Sequence, residues 1–199
     1  MRKIMIYSNR GNIAEEGLLG GIRQNGALIL LFTAFCCGML TGCFIMRGAG
    51  EGIRGLCAAD LAKDPVVACL SYGGLYVTGL VLLAFTGALS CFGVLMEVFI
   101  NFAHGCITSA LMSYVLINDS YAGFGKLCSC VLLGEVLFSC AMLLYSSSCV
   151  RISGELCAEY FFEQKQKSNF KLFLIKTMIT VAASGIALLL TALLISVLK

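Results

Sequence analysis

The chain has 199 residues, 59% of them apolar and 13% charged, with a formal net charge of +3 and a mean hydropathy of +0.94. A soluble domain carries about twice that share of charge, so soluble enzymes and soluble binding modules are excluded, and so small a net charge leaves no basic groove for nucleic acid. The expected class is all-α: a polytopic membrane helix bundle forming one integral domain over 1–199, with about five transmembrane helices and short amphipathic helices at the interface.

In chain order, NIAEEGLLGGIR comes first. Asn12 and Glu15 have the spacing of a capping box, and Ile13, Leu18, Leu19 and Ile22 predict a short amphipathic helix on the membrane surface. The first apolar run, 26–46, lacks a cleavage pattern and is expected to act as a signal anchor. It carries Gly38 and Gly42, a GxxxG spacing that lets two helix backbones approach closely, either within the chain or across a homo-oligomer face. The loop that follows, EGIRGLCAADLAKDP, places Ile53, Leu56, Cys57 and Leu61 on one helical stripe. That stripe is read either as an outer docking surface or as a plain connector ended by Pro65, the single proline.

Spans at 70–91 and 95–117 are separated only by CFG at 91–93, which predicts a tight helical hairpin. A fourth span at 124–145 is weaker, because it holds Lys126 and Glu135; the alternative is an interfacial helix. After it, SGELCAEYFFEQKQKSNFK mixes charges on the side where Lys165, Lys167 and Lys171 would meet anionic headgroups. The last span covers 172–198, with Lys176 at its entry. Of the 14 basic residues, nine lie on the side of the N-terminus and of the segment between spans four and five, against five on the other. The bias predicts a cytoplasmic N-terminus and an outer C-terminus.

The chain has 12 cysteines, but no CxxC pair, and most of those expected within spans read as small packing residues rather than metal ligands. No cofactor or metal is expected. One histidine excludes HExxH and every other site needing two histidines. AASG at 182–185 superficially matches the serine motif of rhomboid proteases, but there the histidine follows the serine, whereas His104 precedes Ser184.

Four polar residues at depth are the conspicuous feature. Glu97, Asn101, His104 and Thr108 recur at i, i+4, i+7 and i+11, which puts them on one face of span three. Glu97 is expected near the cytoplasmic interface, and His104 about 13 Å in, close to the midplane. Glu135 of span four reaches a similar depth and is expected to hydrogen-bond His104, with Asn101 nearby. Such a cluster is read as structural glue, as a proton or substrate path, or as a catalytic group.

In layout the chain resembles the stage II sporulation protein M family of bacterial membrane proteins. The likeness rests on a basic N-terminus leading into ALILLFTAFCCGMLTGCFIM, the near-continuous hairpin GLYVTGLVLLAFTGALSCFGVLMEVFINFAHGCITSALMSYVLI, the short NDSYAGFGKL connection, VLLGEVLFSCAMLL and a final apolar tail. It implies a non-catalytic scaffold in the bacterial cytoplasmic membrane. The scaffold would assemble membrane-anchored peptidoglycan-degrading enzymes for septal thinning and engulfment during endospore formation. The rival expectation, from the residues alone, is a small-solute or ion permease or channel subunit with a path along Glu97, Asn101, His104 and Glu135.

Overall fold

In the computed structural model, the described residues are 26–48, 65–118, 121–162 and 170–198, all in helices except the turn at 89–92. The helices are α1 (Gly26–Gly48), α2 (Pro65–Ala88), α3 (Gly93–Asn118), α4 (Tyr121–Phe162) and α5 (Phe170–Leu198). The amphipathic segment at 12–22, the stripe of Ile53, Leu56 and Leu61, and Lys165 and Lys167 lie outside the described residues. Among those described, α1, α3, α4 and α5 are each long and apolar enough to cross a membrane, and α2 adds a shorter apolar stretch, Gly73–Ala88. The chain is a multi-pass membrane protein with an all-α bundle.

Its burial pattern is the reverse of a soluble domain's. Leu40, Phe44, Leu75, Leu82, Phe99 and Leu189 point outward, while Glu97, Asn101, His104, Ser146, Ser153 and Ser184 are buried. In lipid the apolar side chains lose nothing by exposure, and polar groups must find partners inside. Many hydroxyls do so on their own helix: Thr78 donates to Gly74 O, Thr180 to Lys176 O, Ser184 to Thr180 O and Thr191 to Ala187 O, at 2.7 to 3.0 Å. These bonds let serine and threonine sit within a span without leaving an orphaned hydroxyl.

Helices α2 and α4 are antiparallel to α3 and α5. The main core joins Val77, Val81 and Ala84 of α2 with Ile100 of α3, Phe138 and Met142 of α4 and Phe173 of α5. Phe173 stacks on Phe85 and Tyr145, with ring centroids 5.6 and 6.0 Å away. Gly134 of α4 approaches Thr191 and Ala187 so closely that a Cβ there would overlap the Thr191 hydroxyl. Helix α1 packs from outside, where Leu31 and Phe35 form a second small core with Leu143 of α4.

Gly38 and Gly42 both face α3. A Cβ on Gly38 would collide with Phe102 O and lie 3.0 Å from Cys106 N, and one on Gly42 would collide with Cys106 O and Ser109 Oγ. Gly105 answers from α3, against Phe35 O and Met39 N. The GxxxG spacing is therefore used within the chain, in a parallel crossing of two glycine-lined backbones.

The hairpin turn differs from a simple CFG turn. Ser90 organises it: Phe92 N–H donates to Ser90 Oγ at 3.0 Å, Gly93 N–H donates to Ser90 O at 3.1 Å, and Ser153 Oγ of α4 donates to that same carbonyl at 2.6 Å. Gly93 opens α3, and its missing side chain is filled by Gly87 O and Ser153.

Helix α4 corrects the expected span at 124–145. It is 42 residues long, about 63 Å at 1.5 Å per residue and twice the hydrocarbon thickness. Thr108 of α3 lies beside Glu135 and Gly93 beside Ser153, so the part of α4 level with α3 reaches to Ser153, about two turns beyond the end that hydropathy gives it. Helix propagation needs no apolar residues. Ser147 and Ser148 donate back to Leu144 O at 2.8 and 3.2 Å, and Arg151 pairs with Glu155 at 2.9 Å, carrying the helix through the polar segment.

Candidate functional site

The site grows from the polar face of α3. His104 is 1% exposed and is the meeting point of four helices. Its Nδ1 is 2.7 Å from Tyr76 Oη of α2, and its Nε2 is 3.0 Å from Ser139 Oγ and 3.5 Å from Glu135 Oε1, both of α4. Phe35 of α1 and Phe138 of α4 close over the ring, with centroids 5.4 and 5.1 Å away.

Glu135 Oε1 already accepts from Thr108 Oγ1 at 2.7 Å. A neutral imidazole has one donor and one acceptor nitrogen. Placing the hydrogen on Nε2 serves Ser139 and Glu135, and leaves Nδ1 to accept from Tyr76. The expected neighbours Glu135 and His104 are thus brought together, at a separation longer than a direct hydrogen bond, with Ser139 and Thr108 filling in around them.

Asn101 belongs to a separate cluster one turn away. Its Nδ2 donates to Glu97 O at 2.8 Å and to Ser146 Oγ of α4 at 2.9 Å. Glu97 is 0% exposed, unlike a residue at a wetted interface, because α4 runs on past Ser146 and the hairpin turn sits beneath it. Both its carboxyl oxygens and Asn101 Oδ1 have no hydrogen-bond partner. Among the described residues no hydrogen bond connects this cluster to the one around His104.

Tyr76, Ser139 and Ser146 complete the site and were not singled out from sequence. Tyr76 is the one with a signal: a phenol in an apolar span seeks a partner, although nothing local says which. Serines in the spans are ambiguous, since Ser184 bonds its own helix while Ser139 and Ser146 reach across.

No family model, characterised protein or solved structure matches the chain. Among the described residues no three His, Cys, Asp or Glu side chains converge as a metal site, and Cys36, Cys37, Cys43, Cys91, Cys106, Cys140, Cys149 and Cys157 are free thiols. Both nitrogens of His104 are engaged with Tyr76 and Ser139, and the Ser184 hydroxyl donates to Thr180 O at 2.7 Å. What the arrangement does is tie helices: each polar contact of the His104 side chain is with another helix.

Proposed function

We propose that the chain is a non-catalytic scaffold of the bacterial cytoplasmic membrane, with its N-terminus inside and its C-terminus outside. The observation that carries this reading is His104, whose hydrogen bonds tie α3 to α2 and α4. Polar groups invested in joining helices give a bundle of fixed shape, which is what a platform for other membrane proteins needs. The partner class comes from the likeness to the stage II sporulation protein M family: membrane-anchored peptidoglycan-degrading enzymes, assembled for engulfment during endospore formation. The permease reading would use the same residues as a path, and the break between the two polar clusters weighs against it.

The test is a mild-detergent pull-down of tagged protein from its native cells. Membrane-anchored cell-wall hydrolases are expected in the eluate. Recovery of an ATPase subunit instead, or of no partner, counts against the scaffold.

Orientation has its own check. Cys91 is exposed in the turn between α2 and α3, so the proposed topology puts it on the cytoplasmic side. A membrane-impermeant maleimide is expected to spare Cys91 in intact cells and to modify it in inverted vesicles, read by peptide mass mapping. Labelling in intact cells would reverse the topology.

A further inference from the structure

Two carboxyl groups lie within the bundle, and their surroundings are opposite. Glu135, 26% exposed, receives a hydrogen bond from Thr108 and has the His104 ring beside it. Glu97 is fully buried and receives none. Its Oε1 is 3.5 Å from where a Cβ on Gly87 of α2 would stand, so α2 offers it only a bare backbone. From α4 the titratable groups facing it are Cys149 and Tyr145, and Ser146 and Cys149 flank the carboxyl as neutral groups. Lys176, the cation that α5 brings against α4, donates to Ser148 Oγ at 3.1 Å instead.

Asn101 spends both amide hydrogens, on Glu97 O and Ser146 Oγ. Glu97 Oε1, Glu97 Oε2 and Asn101 Oδ1 remain buried with no partner in hydrogen-bonding geometry, and the donors beside the carboxyl, the Ser146 hydroxyl and the Cys149 thiol, are both neutral. Unpaired buried acceptors are costly, and an ionised carboxylate at this depth more so. A bound cation would remove that charge. A metal ion would need several more oxygen ligands and room for itself, whereas a proton needs neither.

We propose that Glu97 is an intramembrane proton-binding site: it is fully buried among side chains that bring no positive charge, and in the packed bundle it is held as the neutral acid. Binding converts the carboxylate to the acid, with the proton residing on a carboxyl oxygen and no other group changed. This assignment stands independently of the scaffold reading.

The full-length protein in its native membrane is treated with dicyclohexylcarbodiimide, an apolar reagent whose C=N bond takes up the O–H of a protonated carboxyl and then rearranges to a stable acylurea. Peptide mapping scores Glu97 and Glu135 separately. Glu97 is expected to be modified in neutral buffer, with modification falling about tenfold per pH unit once the acid is the minority form, and to be indifferent to sodium. Protection by sodium would overturn the proton in favour of a metal cation. Absence of modification at every pH would overturn the site.

A Glu97→Gln variant gives a second reading that does not depend on reagent access, since glutamine is neutral and brings its own donor. Its thermal midpoint in detergent is expected to match the wild type in acidic buffer and to exceed it in alkaline buffer, where the wild type must give up the proton. A variant less stable than the wild type at every pH would contradict the proposal.

Discussion

Replacing His104 by leucine is expected to lower the stability of the bundle in detergent by about 3 kcal/mol. Interhelical hydrogen bonds in membranes are each worth about 0.6 to 1.7 kcal/mol, and His104 makes two across helices, to Tyr76 and Ser139. The larger contribution is what the substitution leaves behind: a phenol and a hydroxyl without partners, at about 1–3 kcal/mol for each buried orphan. Changing Glu135 to leucine as well is expected to cost less than the sum of the two single changes, by about 1 kcal/mol. Strict additivity would mean that the 3.5 Å between His104 Nε2 and Glu135 Oε1 carries no coupling.

Gly38→Val is expected to break α1 away from α3. The added Cβ would enter the backbone of α3 at Phe102 O, 3.0 Å from Cys106 N, and backbone atoms cannot step aside as the tip of a flexible side chain can. Overpacking of this kind costs about 3 kcal/mol at the top of its usual range. Gly79→Val is the matched control, because nothing lies within 4 Å of a Cβ at Gly79. A convenient reporter is the contact between Ser113 and Cys43, whose Oγ and Sγ atoms are 3.6 Å apart. In a Ser113→Cys background, oxidative cross-linking to Cys43 is expected to survive Gly79→Val and to be lost with Gly38→Val. Equal cross-linking in both would show that the glycine crossing does not hold α1.

The helical class and the polar face of α3 were legible in the sequence because each rests on a period or a length. Spans announce themselves by transfer free energy summed over about 20 residues, and a seven-residue recurrence puts Glu97 and His104 on one side of any helix. Glu135 was reachable by counting depth along two antiparallel helices. The same counting failed to see that Glu97 is sealed, since its cover comes from the length of α4. Hydropathy could not supply that length: a helix leaving the bilayer keeps its backbone bonds while its side chains turn polar, as Arg151 and Glu155 do. Tyr76, Ser139 and Gly105 stayed hidden for a different reason. A hydroxyl or a glycine in a span has a satisfactory local role, and only the neighbouring helix reveals the role it takes. The GxxxG spacing of Gly38 and Gly42 favours an intramolecular crossing over a dimer face, and Phe102 and Cys106 lie against them within the chain.

The most direct test of the central claim, that the buried polar groups bind helices together and do not pass solute, is proton flux into liposomes holding the purified, folded chain alone under an imposed pH gradient. The expected result is the leak rate of protein-free liposomes, with no change in Glu135→Gln or His104→Leu. A protein-dependent flux that either substitution abolishes while the helical bundle stays intact would make the polar face a path and the scaffold reading untenable.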